Sequence, residues 1–208
     1  MKASAAVGVA LVSILLPHAV LKAQGGAVDG KILVPNPGIT GVVVYLTPIA
    51  APAAPDAAPV KAEINQLNLR FSPSVVAVPP GSIISFPNSD PMLHNVFHPG
   101  RRDGFDLGTY PQGERPSFTF KEEGAFVIFC HVHPEMVAYV VVVNSPYRAV
   151  TDQAGRFLIE AIAPGTYRLT TWHRRLKTQQ RLVTVTLAGA VHVDLSLEYG
   201  SPDKPESR

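Results

Sequence analysis

FCHVHPEM, residues 129–136, places one cysteine, two histidines and one methionine within eight positions. It follows the apolar run 125–129 and precedes a second, 136–143. Two apolar runs of strand length around a short polar loop read as a β-hairpin, with Pro134 arguing against a helix through the loop. A loop folding back between two strands can bring the ends of Cys130, His133 and Met136 to one point. His94, in LHNVF (93–97), follows the breaker-rich PNSDP (87–91) and would enter from another strand end. A thiolate, two imidazoles and a weak axial thioether make the His2Cys-plus-Met donor set of an electron-transfer copper centre. Taken singly, Met136 would be core packing and His94 a turn cap; the spacing of the whole set carries the metal reading.

The bulk composition fits this hairpin. The chain has 208 residues, 46% of them hydrophobic, enough for one medium domain or two small ones with cores. Its 20 prolines and 16 glycines suit short strands joined by tight turns. The N-terminus predicts an export signal over residues 1–23: Lys2, an apolar stretch from Ala5 to Leu16, then small residues at Ala19 and Ala23. An uncleaved anchor is the alternative, although the run is short for a membrane span. Loss of Lys2 and Lys22 brings the 18 basic residues to 16, level with the 16 acidic ones, so charge gives no indication of a nucleic-acid partner. No membrane span is expected after cleavage. Cys130 is the sole cysteine. An exported chain exposes lone thiols to oxidation, and metal binding would cap this one.

Three blocks follow the leader. Strand-like runs at 28–34 and 41–48 open the chain, and PIAAPAAPDAAPV (48–60) reads as an exposed linker unable to form a ladder. The middle block, 61–144, predicts strands at 63–71, 74–78, 83–86, 95–98, 117–120, 125–129 and 137–143, a sandwich pattern. The last block, 145–199, alternates apolar and polar residues along RFLIE (156–160), TYRLTTW (166–172), RLVTVTL (181–187) and VHVDLSL (191–197). The tail, 200–208, reads as disordered.

Residues 62–144 resemble a cupredoxin of the plastocyanin, amicyanin and pseudoazurin kind. FSPSVVAVPPGSIISF (71–86) is similar to that family's entry strands, NSDPMLHNV (88–96) to the segment carrying its first histidine ligand, and the C-x2-H-x2-M loop to the amicyanin type. The resemblance implies an all-β, Greek-key sandwich holding one type 1 copper. His94, Cys130 and His133 would be its equatorial ligands and Met136 its axial ligand. His131 is an alternative to His133 if the loop is extended, and Glu135 an alternative axial donor. His98 lies about 13 Å along an extended strand from His94, at roughly 3.3 Å per residue, too far to share its ion. His173 and His192 are expected to be surface or half-buried side chains.

TDQAGRFLIE (151–160) and PGTYRL (164–169) resemble a carboxypeptidase-regulatory-like, or transthyretin-like, domain, and the whole chain resembles exported methylamine-utilisation-like proteins that join such a domain to a cupredoxin. The regulatory-like sandwich at 145–199 is short of strands. The run at 27–48 would complete it, making the copper domain an insertion, or would instead belong to the copper domain itself. WHRRLK (172–177) reads as a basic loop, either solvated or docking an acidic partner. These features imply a periplasmic, non-enzymatic electron carrier serving redox partners such as a cytochrome or a dehydrogenase. Copper storage or delivery, and a non-redox binding module, are the alternatives. Multicopper oxidases and two-copper entry sites need ligands that this chain lacks.

Overall fold

The computed structural model describes residues 25–36, 38–51, 56–100 and 104–201. The expected leader, residues 52–55 of the Ala/Pro stretch and residues 202–208 of the tail lie outside these described residues. All regular elements among them are strands, so no helix is long and apolar enough to cross a membrane.

The chain opens with β1 (Gly26–Leu33) and β2 (Val43–Ala50). The middle block holds β3 (Lys61–Glu63), β4 (Asn65–Gln66), β5 (Phe71–Ser72), β6 (Val75–Val78), β7 (Ser82–Ser85) and β8 (His94–His98). It continues with β9 (Phe105–Tyr110), β10 (Ser117–Phe120), β11 (Gly124–Phe129) and β12 (Val137–Val142). The final block holds β13 (Arg148–Val150), β14 (Arg156–Ile162), β15 (Gly165–Trp172), β16 (Gln180–Val185), β17 (Ala190–His192) and β18 (Leu195–Ser196).

In the middle block, the sheet β10-β7-β3 packs against the sheet β6-β12-β11-β8-β9. Strand alternation turns Phe126 and Ile128 of β11 inward, onto Ile84, Phe86, Phe120 and Val140. This forms one sandwich around its own core. Its β11–β12 hairpin runs in unbroken register from Gly124↔Val142 to Phe129↔Val137.

The opening strands pair with the final block. β1 lies between β14, antiparallel, and β17, parallel, and continues beside β18. β2 lies between β13 and β15, with Val43 opposite Trp172 and Leu46 opposite Leu169. A second core gathers Val28, Val44, Leu46, Ile159, Tyr167 and Leu169. Successive residues of β2 face opposite ways. Val44 and Leu46 enter this core, while Val43 and Tyr45 join Val75, Val141 and Trp172 in an apolar layer between the two sandwiches. A strand buried on both faces needs no polar alternation, which accounts for the unbroken VVVYL of 42–46.

Three local expectations are corrected. Residues 63–71 hold the end of β3, all of β4, a turn and the start of β5 instead of one strand. The amide of Leu67 donates to the carbonyl of Arg70, and Asn68 and Leu69 take φ of 55° and 58°. The Asp90 carboxylate accepts both of their amide hydrogens, at 2.7 and 3.0 Å. β2 also runs through Pro48 to Ala50, inside the stretch expected to form no ladder. The Leu46 amide donates toward Tyr147, so Pro48, two residues on, turns its missing donor to the same side, beyond the end of β13. Finally, WHRRLK is not an open loop: Trp172 ends β15 and is buried, as are His173 and Leu176. A further strand, β9, was not expected, its pattern being interrupted by Gly108 at φ 75°.

His192 and Asp29 are register partners on adjacent strands, and their side chains meet at 2.9 Å. The Asp29 hydrogen bond, with the nearby charge of Asp194, raises the His192 pKa above its ordinary value. Its stabilisation is therefore complete below about pH 6.5 and is lost as pH rises through the raised folded value. Chemical denaturation of the wild type and of His192→Gln across pH 5–9 should show a stability gap at the acid end that closes toward the alkaline end. Leu46→Ala, at a fully buried position of β2, should destabilise the protein by about 2–5 kcal/mol in the same measurement.

Candidate metal centre

The loop after β11 is shaped by a β-turn. His133-Pro134-Glu135-Met136 closes with the Met136 amide donating to the His133 carbonyl at 3.0 Å. Proline suits the second position of such a turn because its φ is preset. The turn and the paired strand ends hold Cys130, His133 and Met136 in a compact arch. Cys130 and Met136 are both buried in the core of the middle sandwich, and His133 is half-buried.

His94 begins β8, which pairs with β11 through Phe97↔Phe129 and so carries the ring toward the arch. The turn before it is braced by Asn88, whose side chain donates to the carbonyls of Met92 and Tyr110 and accepts from the Asp90 amide. His94 Nε2 meets Asp90 Oδ2 at 2.9 Å. Its other ring nitrogen, Nδ1, lies 3.0 Å from His133 Nδ1 and 3.9 Å from Cys130 Sγ. These three atoms fall within 4.8 Å of one another. Donors bound at about 2.0–2.3 Å to a single ion require spacing of this order.

Sequence reasoning did not single out Asp90 or Asn95. Burial disfavours the charged form of the Asp90 carboxyl, but hydrogen bonds from the Leu69 amide, the His94 ring and the Asn68 amide hold it below the usual carboxylate range. Asp90 thereby ties the ring of His94 to the 67–70 turn. The Asn95 amide donates to Cys130 Sγ at 3.3 Å, an arrangement suited to a sulfur carrying negative charge. The Asn95 side chain accepts from the His131 amide and donates to Asp106 and to the Gly108 carbonyl. Their signals were faint: a carboxylate one turn before His94, and an amide next to it.

The remaining candidates lie elsewhere. His131 stacks on Phe97 with centroids 3.6 Å apart and approaches Asp106 at 3.5 Å, outside the His94–Cys130–His133 group. His98 Nδ1 contacts the Val127 carbonyl at 2.8 Å. Glu135 is exposed.

Residues 58–143 match the family model for copper binding proteins of the plastocyanin/azurin family. The middle sandwich, which this match spans, thus resembles a cupredoxin domain. Residues 135–198 match the carboxypeptidase regulatory-like domain, a span that omits the β1 and β2 strands completing its sheets. No curated protein matches the chain. Solved structures similar to it include a purple cupredoxin from Nitrosopumilus maritimus, at 24% identity over 39% of this chain and 99% of that one, with a TM-score of 0.37. Amicyanin from Paracoccus versutus aligns at 24% identity over 48% of this chain and 97% of that one, TM-score 0.37. A copper-containing nitrite reductase from Thermus scotoductus aligns at 26% identity over 47% of this chain but only 25% of that one, TM-score 0.37. Copper is the metal of this cupredoxin family, and one thiol with two imidazoles is a donor set that fits it.

Asp90→Ala in the cupredoxin domain removes the acceptor for three hydrogen bonds. It should destabilise the protein by about 1.5–3 kcal/mol in urea unfolding and speed amide exchange at Asn68 and Leu69.

Proposed function

We propose that the protein is an exported electron carrier whose one type 1 copper would be held by His94, Cys130, His133 and Met136. The observation that carries this reading is the convergence of the Cys130 sulfur with the two imidazole Nδ1 atoms at the end of a rigid sandwich. Copper bound there would supply a one-electron couple between Cu(I) and Cu(II).

Each residue then has a task. The Cys130 sulfur, buried and facing the Asn95 amide, would be the tightest ligand, and its binding would shield it from oxidation. Asp90 would keep the Nδ1 of His94 turned inward by holding its Nε2. The Asn88 brace, the Pro134 turn and the paired strand ends would limit movement of the ligands between oxidation states. His133, half-buried, would be the side through which the electron passes. Around it Met92, Leu93, Val132 and Pro134 are exposed, a small apolar rim suited to brief docking of a redox partner such as a cytochrome or a dehydrogenase.

In this reading the cupredoxin domain is an insertion in a regulatory-like sandwich built from residues 27–48 and 145–199. That sandwich acts as a carrier, and the protein transfers electrons without catalysing a reaction of its own. The leader at 1–23 would send it to the periplasm.

Adding Cu(II) to metal-free protein should produce an intense visible sulfur-to-copper charge-transfer band at one equivalent. The band should be absent in Cys130→Ser, and the loaded protein should exchange electrons with a cytochrome. Tight Cu(I) binding with no such band would replace electron transfer with copper delivery, and no copper binding would remove the reading altogether.

A further inference from the structure

A cleft of about 230 Å³ lies where the two sandwiches meet, away from His94, Cys130 and His133. One wall is β12 of the cupredoxin domain, presenting Val137 and Tyr139. The other is the end of β15 and the turn after it, presenting Trp172, His173, Arg174 and Arg175. None of the residues lining it is acidic.

The basic wall is built in advance. Leu176, fully buried, anchors the turn, and its amide donates to the His173 carbonyl at 3.0 Å. The Arg175 carbonyl accepts from the Gly200 amide at 3.0 Å. The Arg174 guanidinium lies 5.5 Å from the centre of the Tyr139 ring and donates Nη1 to the Tyr139 hydroxyl at 3.2 Å. Neither Arg174 nor Arg175 has a carboxylate partner among the described residues.

His173 adds a third donor. It is 7% exposed, and its Nδ1 accepts the Arg175 amide hydrogen at 3.3 Å. In the neutral ring the proton must then sit on Nε2. That atom has no hydrogen-bond partner among the described residues, and the ring lines the cleft. Burial, together with the charges of Arg175 and Arg174, pushes the His173 pKa down to about 4, so the ring is neutral at ordinary pH. The same two charges that disfavour a cation at His173 favour an anion beside it.

We propose that this cleft binds a small oxyanion, a carboxylate or a phosphate, between Arg174, Arg175 and the Nε2 donor of His173. Guanidinium groups present paired N–H donors that match either oxyanion. The cleft is smaller than the roughly 300–1,000 Å³ of ordinary ligand pockets, which restricts the occupant to a compact ion or a short organic acid. Such a ligand would touch both sandwiches at once. Because none of the lining residues is a proposed copper ligand, the site stands or falls independently of the copper reading.

The test is titration of the full chain with succinate and, separately, with inorganic phosphate at low ionic strength, against sodium chloride of equal ionic strength. Nuclear magnetic resonance of the His173 ring should show saturable shifts with at least one oxyanion that chloride does not reproduce. Calorimetry should show affinity at least tenfold weaker in the Arg174→Gln/Arg175→Gln double variant. Saturation by succinate alone would assign the site to organic acids, and saturation by phosphate alone to inorganic phosphate. Shifts equal to those with chloride, or affinity unchanged in the double variant, would overturn the proposal. Should the double variant fail to fold, Arg175→Gln alone decides the matter, with several-fold weaker binding expected.

Discussion

The pairing of β11 with β12 is the constraint on which the rest of the molecule depends. Its register, closed by Phe129 opposite Val137, leaves seven residues to return the chain, and those seven carry Cys130, His133 and Met136. A slip of one residue would turn Phe126 and Ile128 out of the core and move the sulfur to the wrong face. The hydrophobic pattern that builds the core therefore also aims the donors. β12 extends the same influence outward: its inner face packs Ala138 and Val140 into the cupredoxin core, while Val141 reaches the layer shared with the second sandwich.

Around this hairpin, polar side chains do what the strands cannot. Asp90 spans from the 67–70 turn to the back of His94, and Asn95 joins the Cys130 sulfur to β9 through Asp106 and Gly108. Both residues are buried, and a buried polar group is stable only with its partners in place. Their networks hold the ring and the sulfur in fixed relation through groups belonging to three separate segments.

Much of this arrangement was legible in the sequence where the determinants are local. The turn at Pro134, the apolar runs on either side and the C-x2-H-x2-M spacing lie within about twenty residues, and the strands they implied are present. The unbroken VVVYL of β2 was recognisable as a strand, but its double burial was not, because the second covering layer comes from Val75, Val141 and Trp172 far along the chain. The turn at Leu67–Arg70 was misread for the same reason: its left-handed residues are held by the distant Asp90. WHRRLK looked like a solvated basic loop because its charges were visible, whereas the burial of Trp172 and Leu176 depends on packing. His131 remained an open alternative in the sequence because its stack on Phe97 requires knowing how β8 lies beside β11.

The two crossings between the sandwiches lie side by side: the Ala57 amide donates to the Asn144 side chain, which in turn donates to Asp56, each at 3.3 Å. The chain thus leaves the outer fold and rejoins it through a single doorway. A segment whose ends already touch adds little closure entropy to its host, however long it is. Such a module is transplantable, since a scaffold that tolerates a surface loop at this point can accept a whole folded domain in its place.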